Sequence, residues 1–264
     1  MIVVKIGGTG GIDPTPVLRD LAGLDEPWIL VHGGNEELSD LQRALGDEPR
    51  FITSPSGHVS RFTDEAAVAN IQRAYRGRIN NDLVLRLQNL GVRAVGLSGV
   101  DGGVLRATRK DTVRAVVDGR KMLLRGDHTG TIHTVDTKLL RTLAAGGFRP
   151  VLTLPAWADT GEAVNVDGDR AAAMVATAMG AHTLVILSDV PGLLRDVDDA
   201  DSLIEHIPRQ RLAEHQGFAK GRFRKKLMGV QEALDGGVGR IVLATSRGEH
   251  PVQEALAGGG TVIA

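Results

Sequence analysis

Ile2-Val-Val-Lys5-Ile6-Gly7-Gly8 is a short apolar run that stops on two glycines, and Trp28-Ile-Leu-Val31-His32-Gly33-Gly34-Asn35 repeats the pattern. Runs of this length, rich in β-branched residues and not alternating with polar ones, fit strands buried on both faces of a parallel sheet. Runs of the same kind recur at Ala94–Leu97, Val151–Leu154, Thr183–Leu187, Arg240–Ala244 and Thr261–Ile263. Helical patterns lie between them, at Thr15–Leu24, Glu36–Leu45, Thr63–Leu90, Thr137–Ala145, Asp169–Met179, Arg224–Leu234 and Pro251–Ala257. Gly91, Gly146, Gly180 and Gly236 stand where helix C-termini are expected. Strict alternation of strand and helix predicts an α/β protein with a doubly wound, mainly parallel sheet.

Composition narrows the function classes. The chain has 264 residues with 31 Lys plus Arg against 32 Asp plus Glu, a net charge of −1. That balance argues against charge-driven binding to nucleic acid or to a membrane surface. Aromatic residues at 3% are too few for base-stacking platforms. With no cysteine, disulfides, thiolate metal sites and a cysteine nucleophile are excluded, and a reducing cytoplasmic setting is expected. No apolar run reaches the roughly 20 residues of a membrane span. Lys5 interrupts the N-terminal apolar run too early for a signal peptide.

Two segments depart from the alternation. Phe51–Arg61 contains the turn Ser-Pro-Ser-Gly. Val104–Val135 reads as two or more hairpins, with turns near Val117-Asp118-Gly119 and Arg125-Gly126-Asp127. Between Val104 and His128 lie seven basic and three acidic residues, which makes either a solvated face or a surface for an acidic partner.

Glycine pairs at the carboxyl ends of strands mark the edge where open α/β sheets bind ligands. Lys5-Ile6-Gly7-Gly8 and His32-Gly33-Gly34-Asn35 can each bring backbone amides close to an anion, and Lys5 adds a mobile charge. The GxxxxGK[ST] phosphate loop, the GxGxxG dinucleotide loop and the GxSxG elbow are all absent. Asn165-Val-Asp167-Gly-Asp169-Arg170 leads into an Ala-rich helix; Asp169 either caps that helix or holds cationic groups in place. Leu187-Ser188-Asp189-Val190-Pro191-Gly192-Leu193-Leu194 ends a strand on a Pro-Gly turn. Lys220-Gly-Arg222-Phe-Arg224-Lys225-Lys226 places five bases at a helix start, where the macrodipole disfavours cations unless an anion arrives. The eight histidines show no metal-ligand spacing, and His32 reads as a structural hydrogen-bonder. No protein metal cage is expected; Mg²⁺ would come with a nucleotide, held by phosphates and water.

These motifs resemble the amino acid kinase family, in its N-acetylglutamate kinase branch. The likeness runs nearly end to end, through Lys5–Gly8, His32–Gly34, Arg61-Phe-Thr-Asp64, Asn165–Asp169, Ser188–Leu194 and Gly221–Leu227. It implies a single domain over 1–264, a three-layer αβα sandwich with hairpin excursions. It also implies an N-terminal lobe of about 1–172 for an acyl substrate and a C-terminal lobe of about 173–264 for ATP. By position, Lys5 would contact the transferring phosphoryl group, and Gly7 and Gly8 would offer amides to the phosphates. Gly33 and Gly34 would bind the reacting carboxylate, Arg61 the α-carboxylate and Asn165 the acylamide. Asp169 would orient two lysines. The second of these is Lys226, with Lys225 as the alternative. Ser188, Asp189, Gly192, Leu193 and Leu194 would line the nucleotide.

The approach to Arg61, through Ser54-Pro-Ser-Gly57-His-Val-Ser, and the basic run at 221–226 resemble members acting on carrier-linked substrates. Those members phosphorylate α-aminoadipate or glutamate attached to a small acidic amino-group carrier protein. Arg73, Arg76, Arg78, the 104–128 hairpins and Lys220–Lys226 are candidate docks. The resemblance also implies a homodimer built near Ala66–Leu90, with no arginine feedback through an N-terminal helix. The alternatives are a kinase of free N-acetylglutamate and a non-catalytic nucleotide-binding regulator.

Overall fold

The computed structural model describes residues 1–7, 12–55, 57, 59–117, 119–221 and 223–264. Gly8 and Arg222, both named above, lie outside the described residues, as does Asp118 of the hairpin turn. The first half runs β1 (Ile2–Ile6), α1 (Thr15–Ala22), β2 (Trp28–His32), α2 (Asn35–Ala44), β3 (Phe51–Thr53), β4 (Val59–Arg61), α3 (Glu65–Ile71), a π-helical segment (Gln72–Asn80), α4 (Asn81–Asn89), β5 (Ala94–Ser98), β6 (Leu105–Val117) and β7 (Arg120–Val135). The second half runs α5 (Thr137–Ala145), β8 (Arg149–Thr153), β9 (Ala156–Ala158), β10 (Ala163–Val164), α6 (Gly168–Met179), β11 (Thr183–Ser188), β12 (His206–Ile207), α7 (Leu212–His215), α8 (Phe223–Asp235), β13 (Arg240–Thr245), α9 (Pro251–Ala257) and β14 (Thr261–Ile263).

Eight strands form the central sheet in the order β12-β14-β13-β11-β1-β2-β8-β5. All seven expected strands are in it. One is turned round: β14 runs antiparallel to β13, pairing Val242 with Val262, and parallel only to the short edge strand β12. Because strand side chains alternate, the sheet carries two cores. Val3, Ile29, Val31, Leu184 and Ile186 pack with α2, α5, α6 and α8 on one face. Val4, Leu30, Val185 and Val242 pack with α1, α4 and α9 on the other. This is the three-layer sandwich that the resemblance implies.

The excursions join into a second, six-stranded sheet, ordered β10-β9-β6-β3-β4 with β7 on β6. The segment 104–135 is one long hairpin. The turn expected at Arg125-Gly126-Asp127 is instead a bulge, where the partner of Lys110 is Thr129 and that of Thr112 is Arg125. A bulge adds residues to one strand and re-aims their side chains, and here it turns the Asp127 carboxylate inward, where it is buried. The expected helix 63–90 begins as read, with Asp64 capping through Ala67 N, but its middle is wound as a π-helix.

Candidate active site

The chain leaves β1 toward β2 on one side and returns to β11 on the other, so a crevice opens at the carboxyl ends of these neighbours. Three charged side chains meet there. Lys5, one residue from the end of β1, is buried with Nζ 2.7 Å from Asp169 Oδ1. Lys226 Nζ lies 3.3 Å from Asp169 Oδ2 and is buried as well. The N-cap of α6 is Asp167, whose carboxylate accepts from Asp169 N at 3.0 Å and Arg170 N at 3.1 Å. Asp169 is therefore not the cap. It stands in the first turn, where the helix dipole favours an anion and the carboxylate is left for the lysines.

α8 is set tightly against α6. A Cβ on Gly229 would come within 3.3 Å of the Asp169 carbonyl group, so a bare Cα is what admits this approach. Six residues on from Lys226, Glu232 receives a two-pronged contact from Arg170, Nε at 2.9 Å and Nη2 at 2.6 Å. Lys226 shares its helix face with Gly229 and reaches Asp169; Lys225 is half-buried and makes no contact with it. Burial pushes the Asp169 carboxyl up, but Lys5 and Lys226 outweigh it and hold the group well below the usual carboxylate range. Burial pushes Lys226 down, and Asp169 opposes that. Two cations on one anion leave the cluster with a surplus positive charge.

A second cluster lies at the end of β2. Arg61, on β4, is buried, and its side-chain hydrogen bonds go to neutral groups. Nη1 donates to Gln42 Oε1, and Nη2 to Ser39 Oγ at 2.8 Å and to the Asn35 carbonyl at 3.1 Å. Nε has no acceptor among the described residues, and the Phe51 ring lies 4.9 Å from the guanidinium carbon. Burial lowers the pKa of Arg61, and among the described residues no carboxylate pairs with it. Gly33 N donates to the Ile6 carbonyl at 3.4 Å, which ties the His32–Gly34 turn to β1. Asn165 donates from Nδ2 to Thr63 Oγ1 at 3.2 Å, and its backbone is bonded to His128 and Gly130 of β7. Asp127, which no motif singles out, accepts from Thr63 N at 3.1 Å and from the Thr129 hydroxyl.

The Ser188–Leu194 stretch follows β11. The Ser188 carbonyl accepts from Ser246 N at 2.7 Å and Oγ at 2.9 Å, and Asp189 is exposed. Leu193 and Leu194 are buried, and Leu193 N receives support from Thr261 Oγ1 at 2.8 Å. Their side chains serve the core, and the Leu193 carbonyl accepts from Ile204 N at 2.9 Å. Gly192 is buried with them, whereas Gly7 is half-buried at the crevice and donates to the Leu187 carbonyl at 3.1 Å. Ser246 was missed because a serine after a strand carries no pattern of its own.

This fold and these clusters define a family: the chain belongs to the amino acid kinase family, whose pattern matches residues 1–245. Among its relatives, the [LysW]-aminoadipate kinase of Deinococcus radiodurans is 50% identical, over 100% of this chain and 91% of that one. The [LysW]-aminoadipate kinase of Thermus thermophilus is 45% identical over 100% of both. The acetylglutamate kinase of Methanopyrus kandleri is 34% identical, also over 100% of both. Of solved structures, N-acetylglutamate synthase from Neisseria gonorrhoeae superposes with a TM-score of 0.80 at 26% identity, over 100% of this chain and 59% of that one.

Proposed function

We propose that the protein transfers the γ-phosphoryl group of ATP to the side-chain carboxylate of α-aminoadipate, glutamate or both, linked through the amine to a small acidic carrier protein. The observation that carries this reading is the pairing of a cationic Lys5–Asp169–Lys226 cluster with a buried Arg61 that has only neutral partners. The first suits a phosphoryl group in transfer, the second a carboxylate. The likeness to the two [LysW]-aminoadipate kinases supports the carrier-linked substrate.

The acceptor carboxylate is ionised near pH 7, so no general base is needed. Its oxygen attacks the γ-phosphorus, the bond to the β-γ bridging oxygen breaks, and ADP leaves. Such a transfer asks the protein for alignment and charge neutralisation. Lys5 and Lys226 supply charge across the transferring group, with Asp169 fixing both. The Gly7 and Gly33 amides are already bonded to the Leu187 and Ile6 carbonyls, which leaves the Gly34 amide, beside the Tyr75 hydroxyl, for the cradle; Arg61 pairs with the α-carboxylate, and Asn165 binds the amide linkage. The lobe of about 1–172 holds the acyl substrate, and that of about 173–264 holds ATP along Ser188–Leu194. Among the described residues no group of three or more His, Cys, Asp or Glu could hold a metal. Asp169 is engaged by two lysines, and Mg²⁺ would come with the nucleotide, held mainly by phosphates and water, where it would neutralise phosphate charge.

The acidic carrier docks on the β6–β7 hairpin, where Lys110, Arg114, Arg120, Lys121 and Arg125 are exposed and make no ion pair among the described residues. The other candidate docks contribute less. Arg76 is paired with Asp101 and Arg78 with Glu37, and Lys226 points inward. The enzyme works in the cytoplasm as a homodimer built near Ala66–Leu90, where Leu85 of α4 and Leu90 just after it are exposed. Phosphorylation of free N-acetylglutamate is the second reading, favoured by the Methanopyrus relative. ADP release with free N-acetylglutamate, carrier-linked glutamate and carrier-linked aminoadipate separates the two, with hydroxylamine trapping the acyl phosphate. Turnover confined to carrier-linked substrates is expected. Efficient turnover of free N-acetylglutamate, with no gain from the carrier, overturns the first reading. Activity that survives Lys5→Ala removes the mechanism.

A further inference from the structure

Behind the His32–Gly34 turn lies a polar network that the reaction as described does not use. His32 and Asn80 are both buried. Asn80 Nδ2 is 2.9 Å from His32 Nε2 and donates to the Val151 carbonyl at 2.9 Å, while Asn80 Oδ1 accepts from Arg76 Nη1 at 3.2 Å. The opposite amide orientation would set Oδ1 against the Val151 carbonyl, so the nitrogen faces the ring and Nε2 accepts. The ring proton is then on Nδ1, which lies 3.0 Å from the Gly33 carbonyl. The Thr153 hydroxyl donates to the His32 carbonyl at 3.1 Å.

A trans peptide carries its C=O and N–H on opposite edges. Fixing the Gly33 carbonyl on the ring turns the Gly34 N–H to the other edge, toward the Tyr75 hydroxyl and the Arg61 side. The π-helical winding is what brings the parts together. In an α-helix, residues five apart point about 140° away from each other. In the wider i→i+5 winding they return toward one face. Tyr75, Ile79 and Asn80 thereby all address the turn. A Cβ on Gly34 would fall 2.2 Å from Ile79 Cδ1 and 2.9 Å from Tyr75 Cδ1. From the other side, a Cβ on Gly96 would fall 2.0 Å from Asn80 Oδ1.

We propose that Asn80 is a positioning residue for acyl-substrate binding: it holds His32 as the Nδ1–H tautomer, and the ring in turn fixes the Gly33–Gly34 peptide that faces the substrate. This rests on the assignment of the acyl substrate to Gly33, Gly34 and Arg61. The charged group acting on the ring is Arg76, on the same segment and itself paired with Asp101; β8 presents only Val151 and Thr153, and β1 presents Ile6.

The test combines ¹⁵N NMR of the full-length protein with kinetics on two variants. Wild type is expected to show His32 protonated at Nδ1. In Asn80→Asp the new carboxylate draws the proton to Nε2, so Nδ1 can no longer donate to Gly33. The acyl-substrate KM should then rise about tenfold, as for one lost buried hydrogen bond, with the ATP KM unchanged. Acidification makes the ring an imidazolium with both N–H groups, so the defect should shrink as pH falls, which a merely structural role would not produce. Gly96→Ala displaces Asn80 without altering it and should raise the acyl KM in the same direction. Wild-type His32 protonated at Nε2, or a wild-type acyl KM in folded variants of both kinds, overturns the proposal. A wild type that turns over none of the acyl substrates overturns the functional reading, while the tautomer measurement still stands.

Discussion

The two charged clusters are built on opposite principles. At the carboxyl end of β1 the cations come with their counter-ion, Lys5 and Lys226 on either side of Asp169. At the end of β2 the buried Arg61 has amide, hydroxyl and carbonyl partners but no carboxylate. Burying an unpaired charge is costly, and breaking a buried pair leaves that cost exposed. A site that carries its own anion holds its geometry in the resting protein. A site without one gains most when an anion arrives. On the proposed mechanism the difference separates groups that act during transfer from a group that recognises a carboxylate.

The sharpest way to break this contrast is Lys226→Ala. It should lower kcat on the order of 10²–10³-fold with a smaller change in KM, as for other lost transition-state stabilisers. Steady-state kinetics against both substrates check it, and Lys225→Ala should leave kcat within a factor of a few.

Stability against pH probes the burial of His32 behind the second cluster. Burial pushes His32 down to about 4 from its ordinary 6.5. Between these values the unfolded chain binds the extra proton, so stability is fully present above pH 6.5 and is lost as pH falls toward about 4. The loss should reach roughly 3 kcal/mol in urea titrations of wild type, at about 1.4 kcal/mol per pH unit, and should vanish from that window in His32→Gln.

Arg61→Lys exchanges a forked donor for a point charge. It should raise the acyl-substrate KM about 10–100-fold and leave the ATP KM alone. An equal rise in both would erase the distinction between the clusters. The smallest effect is expected from Lys121→Glu with Arg125→Glu on the hairpin. The carrier-substrate KM should rise a few-fold and lose its salt dependence. Unchanged affinity would reduce that surface to a solvated face.

The strands and the glycine-ended turns were legible because buried parallel strands leave short apolar runs in the chain. β14 read as a strand, but its direction did not, since direction is set by the connection through α9 and by pairing with β13. Asp169 stood out by motif, and its role was open until the structure put Asp167 at the cap. Lys226 was the reading of the motif, with Lys225 as the alternative; in the structure Lys226 shares a helix face with Gly229 and reaches Asp169, and Lys225 does not. Asp127 and Asn80 were not legible at all. One depends on a bulge and the other on a π-helical winding, and neither irregularity has a spacing of its own.

The phosphoryl cluster draws on residues 5, 169 and 226, which are far apart in sequence. Contacts of such long range are slow to form, because the entropy of closing the intervening chain comes before their gain. On the ribosome Lys5 emerges early and stays without its counter-ion until α6 follows, and Lys226 comes later still, seated only when Gly229 meets Asp169. On the proposed mechanism, a nascent chain therefore cannot transfer phosphate from a half-built site. On that mechanism activity itself reports that α8 has docked on α6.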